Sequence, residues 1–419
     1  MTYTEGEARE EFAKGWRILV AAAIGAACGG AVGFPSLGFF IPALQAGMGW
    51  SRAQAGGAAS AIMLGLLLGV PIAGRLCDRY GVRRVIVPAI LATASAFLVL
   101  GLATNNLIAF YAGYFVSGVA GAGTSFVIYA RNVSLRFNRS RGLSLGLMMS
   151  VAGLSIAISP VIASKFIKTF GWQSGYLWLA AFALIPMPFV LMWLRDGEAV
   201  SASSMECKPL VEGMTFREVL RTRQFWLMAV AIFLISAAVL GTSVHTVPMY
   251  TDMGARAATL QWAAVAGGLT LFVARPVIGV LLDRLNPRLV AAISSLIPVA
   301  ALLFVPTLGP AFAVLFAIGI SLGQSAENDL IGYLTSRYFG MRAFAETYGW
   351  LYAIGLLGFA IGPLLAGMAR DFSGDYRLFL TTAAIACGVG SLCFVLLGEI
   401  PSRAASERAY AKNRAFGQP

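Results

Sequence analysis

The most constraining feature of this chain is a series of long segments that contain no Asp, Glu, Lys or Arg. Each is longer than the stretch of about 20 apolar residues that crosses the hydrocarbon core of a membrane as an α-helix. They cover residues 18–51, 53–74, 85–130, 142–164, 169–194, 224–251, 289–326, 347–369 and 378–398. Only 12% of all residues are charged, whereas soluble domains carry roughly 25%. The chain is therefore predicted to be a polytopic membrane protein.

The number of membrane spans follows from the points at which these segments must turn. The two longest segments, 85–130 and 289–326, must each fold back once, and they contain turn signals at 104–106 and 306–310. Segment 258–282 is apolar except for one arginine and adds a further span. The segments are rich in Leu, Ala and Gly and are longer than barrel strands of about ten residues. The prediction is an all-α membrane protein with twelve transmembrane helices.

The distribution of Lys and Arg predicts how the chain is oriented in the membrane. With the N-terminus inside, most basic residues fall in loops on the cytoplasmic side, as the positive-inside rule requires. Topology and anionic lipid then explain the net charge of +12, which indicates no nucleic acid partner. We expect a monomer in the plasma or inner membrane with both termini in the cytoplasm. The predicted units are a cytoplasmic N-terminus 1–17, a six-helix bundle 18–194, a cytoplasmic linker 195–223, a six-helix bundle 224–398 and a cytoplasmic tail 399–419.

An internal repeat indicates that the two bundles are related. Pro, Gly, Asp and Arg occur at the same spacing in segments 71–79 and 276–284, each at the end of an apolar run. The residue before the proline differs, because Val70 in the first copy corresponds to Arg275 in the second. In the linker, Thr215 is followed three residues later by Glu218, a spacing typical of a capping box at the start of a short surface helix.

The first copy of the repeat extends into a longer pattern. Its residues are Gly74, Asp78, Arg79, Gly81, Arg83 and Arg84. This pattern resembles the signature of the major facilitator superfamily, which implies two pseudo-symmetric six-helix bundles. The second copy keeps Gly279, Asp283 and Arg284. We expect Asp78 to pair with a nearby arginine and with a helix end of the other half, as a conformational latch. The alternative is that these basic residues only keep the loop on the cytoplasmic side.

Several shorter segments resemble the monocarboxylate transporter and oxalate/formate antiporter-like branch of that superfamily. They are segments 49–52, 244–248, 252–254, 274–276 and 337–340. The resemblance implies that Arg275 binds the carboxylate of a substrate. A charged residue within a membrane span is costly and is usually functional, and a guanidinium matches a carboxylate in bidentate geometry. The alternative is a structural ion pair or a contact with helix carbonyls.

The chain departs from the mammalian-type members of that branch at two positions. An Asp one turn before the arginine is replaced by Leu271, and a Lys in the first span is replaced by Ser36, which follows Phe34 and a proline. Both of the usual proton-handling groups are missing, so lactate is not predicted as the substrate. Phe34, Tyr333 and Tyr352 are further candidates for substrate contact, with simple packing as the alternative.

Three residues are candidates for carrying a proton. Glu327 and Asp329 interrupt the tenth span, and because residues two apart on a helix point in different directions, we expect only one to face a cavity. The other is expected to meet Arg131 or another basic residue at the cytoplasmic side, and both lie close enough to the helix end to be ordinary interfacial charges. His245 is the only histidine and is expected near the outer face. The alternative for His245 is a hydrogen-bonded packing role.

Arg131 has three possible roles: a cytoplasmic gate, a second anion contact, or an ordinary positive-inside charge. The five cysteines show no metal-binding spacing, and the chain has no phosphate-binding loop and no Ser, His and acid set. We therefore expect no cofactor, no metal and no enzyme activity. The predicted function is a rocker-switch transporter for an organic anion, most simply a monocarboxylate with a proton. Alternatives are an anion exchanger, a drug- or sugar-type facilitator, and a non-transporting sensor.

Overall fold

A computed structural model describes residues 5–29, 33–50, 52–102, 106–194 and 213–399. These residues form sixteen α-helices and two short 3₁₀ turns, Val305–Leu308 and Pro310–Phe312. The helices are α1 Glu5–Ala27, α2 Gly33–Met48, α3 Arg52–Tyr80, α4 Val82–Gly101, α5 Leu107–Ala122, α6 Phe126–Arg136, α7 Arg141–Phe170, α8 Trp172–Leu184, α9 Pro186–Trp193, α10 Phe216–Leu220, α11 Arg223–Asp252, α12 Ala257–Arg284, α13 Pro287–Phe304, α14 Ala313–Tyr338, α15 Phe344–Ser373 and α16 Arg377–Val395. The nearly all-helical prediction is confirmed.

Ten helical stretches of the described chain are long and apolar enough to cross a membrane. They are Gly57–Tyr80, Val82–Gly101, Leu107–Arg136, Trp172–Trp193, Arg223–Val247, Ala258–Arg284, Pro287–Phe304, Pro310–Tyr338, Phe344–Ser373 and Arg377–Val395. The other two predicted spans fall on α1 with α2 and on α7, which are not among these ten stretches. The count of twelve therefore stays a prediction.

Both predicted turns within the longest apolar segments are present. The first lies between α4 and α5, where the Asn106 side chain accepts hydrogen bonds from the backbone N–H groups of Ile108 and Ala109. The asparagine therefore satisfies two of the donors that a helix start leaves free. The second lies between α13 and α14, where the 3₁₀ turns contain the two prolines.

The structure also shows helix breaks that the apolar pattern did not predict. The fourth span divides into α5 and α6 at residues 123–125, and the sixth divides into α8 and α9 just before Pro186. A proline has no backbone N–H to donate, so it is favoured at the start of a new helix. Such breaks keep the segment apolar, which explains why hydropathy does not detect them.

The helices pack as two halves, α1–α9 and α11–α16. Within the first half the main contacts are α3 with α5, α4 with α8 and α1 with α7; within the second they are α11 with α15, α12 with α14 and α13 with α16. The largest contacts between the halves are α7 with α12 and α3 with α15. Each half therefore has its own core, and two helix pairs join them.

The end of the linker is attached to the second half. Thr215 and Glu218 form the predicted capping box at the start of α10. The backbone N–H of Met214 donates to the carbonyl oxygen of Phe339 over 2.9 Å, and the Phe216 ring stacks on Trp350. Residues 195–212 of the predicted linker lie outside the described residues.

Both ends of the described chain lie at one end of the bundle. Glu11 in α1 accepts hydrogen bonds from the backbone N–H groups of residues 138–140, and Tyr338 donates to the carbonyl oxygen of Gly398. Arg337 joins these two regions through Asn138. The Gly-Asp-Arg turns of both repeats lie at this same end, which we call the motif end. Its location on the cytoplasmic side stays a prediction.

Candidate functional site

The two halves approach most closely at the glycines of the repeat. A β-carbon at Gly74 would lie 2.2 Å from the carbonyl oxygen of Ala345, and one at Gly279 would lie 2.2 Å from that of Gly142. Real β-carbons do not approach backbone atoms so closely. Only glycine therefore permits the observed contacts of α3 with α15 and of α12 with α7.

The aspartates of the repeat cap helices of the opposite half. Asp78 accepts a hydrogen bond from the backbone N–H of Glu346 over 2.8 Å, at the start of α15. Asp283 accepts from the N–H groups of Gly142 and Leu143 over 2.8 and 2.9 Å, at the start of α7. A carboxylate is favoured there because the N-terminus of a helix carries partial positive charge.

Asp78 also pairs with Arg131, whose Nε donates to it over 2.8 Å. The predicted pairing of Asp78 with an arginine and with a helix end of the other half is therefore present. Gly81 has a φ of 94°, which suits the sharp turn from α3 to α4. The other basic residues of the pattern lie at the motif end, where Arg79 lies over the Tyr80 ring and Arg84 and Arg284 are exposed.

Arg275 lies near the middle of the bundle. It is roughly 14 Å from the motif-end terminus of α12, given a rise of about 1.5 Å per residue. By the same rise per residue, Asp329, Glu327 and Tyr352 lie about 14, 17 and 12 Å from the motif-end termini of their helices. Half of a hydrocarbon core is about 15 Å. These side chains therefore lie at one level, close to the expected midplane.

The guanidinium of Arg275 is only partly satisfied. Its Nη1 donates to the carbonyl oxygen of Met149 on α7 over 3.0 Å, and its Nε is buried with no hydrogen-bond partner among the described residues. The side chain is half-buried. Arg275 therefore contacts the other half and retains unused donors.

Glu327 and Asp329 are both buried, with 6% and 2% of their surfaces exposed. Ser236 on α11 donates a hydrogen bond to Glu327 Oε1, whereas Glu327 Oε2 and both Asp329 oxygens have no hydrogen-bond partner in the described chain. The charge of Arg275 acts on both carboxyl groups. Two buried acids therefore lie within electrostatic range of one half-buried cation.

This arrangement corrects one expectation. Neither acid is an interfacial charge and neither meets Arg131, which pairs with Asp78. The physical reason is that α14 continues as far as Tyr338, so both acids lie well inside the helix. Their surroundings differ: Glu327 accepts from Ser236 and lines a small cavity beside Ile232, whereas neither Asp329 oxygen has a hydrogen-bond partner among the described residues.

His245 lies apart from this group. It is about 14 Å further along α11 than Ser236, away from the motif end. Its Nε2 is 3.1 Å from the carbonyl oxygen of Pro363, which can only accept, so Nε2 donates. The Nδ1 of the neutral ring then accepts from the hydroxyl of Tyr376 over 3.2 Å.

The remaining candidates are dispersed. Ser36 is fully buried in α2, and the side chain of Phe34 lies outside the described residues. Tyr333 is buried beneath Arg337, whose guanidinium lies 5.1 Å from the ring centre, and this places it toward the motif end. Tyr352 is half-buried and packs against Phe126, a residue that the sequence did not single out.

Comparison with known proteins identifies the family. The model of the Major Facilitator Superfamily matches residues 18–254 and 236–416. The chain belongs to the Major Facilitator Superfamily. The predicted resemblance is thus confirmed, and the protein is a multi-pass membrane transporter and not an enzyme.

Individual members of the superfamily are similar over most of the chain. Monocarboxylate transporter 11 of Mus musculus is 29% identical over 86% of this chain and 83% of its own length. The 4-hydroxybenzoate transporter PcaK of Acinetobacter baylyi is 24% identical over 85% of this chain and 87% of its own. The solved structure of the fucose:proton symporter FucP of Escherichia coli superimposes with a TM-score of 0.72 at 16% identity, covering 91% of this chain and 98% of that one. The last comparison supports the fold alone.

Proposed function

We propose that this superfamily member transports an organic monocarboxylate together with protons across the plasma or inner membrane by alternating access. The observation that carries the proposal is Arg275, a midplane guanidinium with an unpartnered Nε beside two buried acids. Substrate sites between the halves near the midplane are general for transporters of this architecture. The printed names of monocarboxylate transporter 11 and the 4-hydroxybenzoate transporter agree with an organic acid as the substrate.

The carboxylate would dock on the free edge of the Arg275 guanidinium. A planar guanidinium presents parallel N–H donors to a carboxylate, and such charge-assisted bonds are stronger than neutral ones. Because Arg275 also bonds to Met149 of the first half, a substrate there would contact the site at which the halves meet. Binding would therefore act directly on the equilibrium between the two access states.

The charge balance favours proton symport. Arg275 supplies one positive charge, whereas ionised Glu327 and Asp329 would supply two negative charges in a poorly solvated region. A substrate carboxylate adds a third. Uncompensated charge is costly in low dielectric, so a proton on each acid would restore neutrality when the substrate is bound. Glu327 and Asp329 are therefore the favoured proton carriers. His245 is less favoured, because it lies at the end of the bundle away from the motif end.

The motif end would act as the gate. The close glycine contacts and the capping aspartates hold the halves together there, so this end must separate for the site to become accessible from that side. We assign this role to Asp78, Arg131 and Asp283. The gate faces the cytoplasm in this proposal, with both termini on that side and the transporter working as a monomer.

Uptake into proteoliposomes tests the function. Purified protein would be supplied with a panel of radiolabelled carboxylates and matched neutral amides, with and without an acidic exterior. We expect accumulation of carboxylates only, increased by the pH gradient. Uptake that requires an internal counter-substrate and ignores the pH gradient would indicate anion exchange instead. No uptake of any carboxylate would refute the proposal.

A further inference from the structure

Two aromatic rings from opposite halves meet beside the candidate anion site. Phe126 begins α6 in the first half, and Tyr352 lies on α15 in the second. Their ring centres are 4.7 Å apart with an interplanar angle of 78°, which is an edge-to-face contact. Tyr348, one turn earlier on α15, lies 6.1 Å from Phe126. The three rings thus bridge the halves.

These rings lie at the level of Arg275. Phe126 is roughly 15 Å from the motif-end terminus of α6, close to the values for Arg275 and Tyr352. Both tyrosines lie within electrostatic range of the Arg275 guanidinium. An anion held by Arg275 would therefore have the aromatic group beside it.

Part of this aromatic surface is available for contact. Phe126 and Tyr352 are only half-buried, in contrast to Tyr348, which is 2% exposed. Phe126 follows directly after the break at residues 123–125, so the start of α6 sets its position. Tyr352 lies on α15, which packs against α3 of the first half.

We infer that Phe126 and Tyr352 form an aromatic clamp that selects monocarboxylates with an aryl body over short aliphatic ones. The carboxylate would bind Arg275 while the ring packs edge-to-face or offset against the clamp, the arrangements that aromatic pairs prefer. A short aliphatic acid would leave the two rings without a partner. This inference rests on the proposed transport of monocarboxylates and defines their class.

A packing role is the competing explanation, in which the rings only seal the interface between the halves. The two explanations differ in which substrates a substitution affects. Loss of a clamp lowers the transport of aryl acids selectively, whereas loss of a seal lowers the transport of all acids by the same factor.

The test compares benzoate with propionate in proteoliposomes. The kcat/KM of each would be measured for wild type, Phe126→Leu, Tyr352→Leu and Tyr352→Phe. The matched control is Phe166→Leu, which removes a ring stacked on Trp178 outside the clamp. We expect wild type to prefer benzoate, and either leucine variant of the clamp to reduce the benzoate-to-propionate ratio about tenfold with propionate uptake retained. Tyr352→Phe and the control should keep the wild-type ratio.

Specific results would overturn the inference. Equal transport of benzoate and propionate by wild type would refute the clamp and leave monocarboxylate transport intact. An unchanged ratio in both leucine variants would refute it as well. For a variant without uptake, thermal-shift titration of the purified protein with benzoate and with propionate supplies the same ratio from binding. No transport of either acid by wild type would instead refute the proposed function.

Discussion

The Nη1 of Arg275 donates a hydrogen bond to the carbonyl oxygen of Met149, 3.0 Å away on α7 of the other half. The repeat places Val70 at the corresponding position of α3, so this contact has no equivalent in the first copy. Next to it, Ser150 donates a hydrogen bond to the carbonyl oxygen of Phe272, which is a second contact between α7 and α12. A residue proposed to bind substrate is therefore also part of the contact between the halves.

The close approach of α12 to α7 predicts a strong effect of Gly279→Ala. A β-carbon there would lie 2.2 Å from the backbone of Gly142, so the motif end cannot close as observed. We expect uptake to fall at least tenfold, because the clash far exceeds the energy equivalent to tenfold, about 1.4 kcal/mol. The matched control is Gly268→Ala on the same helix, where no atom lies within 4 Å. Normal uptake by Gly279→Ala would contradict the proposed closure.

The helix cap by Asp283 predicts a shift in the open–closed equilibrium. Asp283→Ala removes two hydrogen bonds to the start of α7, which we expect to cost the closed state about 1–2 kcal/mol. Double electron–electron resonance between spin labels at Arg84 and Arg342, two exposed motif-end positions on opposite halves, would report the distance. We expect a larger population of long distances than in Asp375→Ala, which alters an exposed loop. Identical distributions would exclude this role.

The Glu11 carboxyl predicts a pH-dependent contribution to stability. Partial burial raises the pKa of Glu11, but hydrogen bonds from Arg139, Ser140 and Asn138 outweigh it and hold the pKa below the ordinary 4.5. A depressed carboxylate pKa stabilises the folded state above pH 4.5, and this contribution is lost as pH falls through the lower folded value.

Glu11→Gln should therefore lower the Tm in detergent at pH 7, by an amount equivalent to at most about 1 kcal/mol because the site is largely solvated. The difference from wild type should shrink below pH 4.5. Glu10→Gln serves as the control, since Glu10 is exposed and bonds to the exposed Lys14. A difference that is constant with pH would show that the charge of Glu11 is irrelevant.

The two buried acids predict a separation of coupling from transport. Asp329→Asn and Glu327→Gln each mimic a permanently protonated acid. We expect at least one of them to lose accumulation driven by an acidic exterior while retaining counterflow exchange of the same substrate. The control is Asp371→Asn, which alters an exposed acid on α15 at the end of the bundle away from the motif end. Wild-type accumulation in both variants would assign the proton to another group, with His245→Gln as the next substitution to measure.

Much of the architecture could be predicted because membrane-spanning helices have a simple sequence signal, a long segment without charged residues. Charge-free segments mark most spans, and the spacing of Asp78 and Asp283 in the repeat marks the turns that join them. The partners of Asp78 were also predictable in kind, since a buried carboxylate requires a cation or a helix start.

The centre of the site was less predictable. Phe126 owes its position to the break before α6, and this break leaves no hydropathy signal because the residues on both sides of it, 107–122 and 126–130, are uncharged and largely apolar. The burial of Glu327 and Asp329 depends on how far α14 continues past them and on which helices cover it. Both properties are set by tertiary packing, which a local pattern does not encode.

Substitution of Arg275 tests the central claim most directly. Initial uptake of benzoate would be measured for Arg275→Gln and Arg275→Lys beside Arg256→Gln, which neutralises an exposed arginine at the start of the same helix. Removing one partner of a buried charge pair costs about 2–5 kcal/mol, so we expect a loss of about 30-fold or more for Arg275→Gln. Arg275→Lys should be partly active, because it keeps the charge without the planar fork, and Arg256→Gln should behave as wild type. Carboxylate uptake by Arg275→Gln at the wild-type rate would contradict the proposed site.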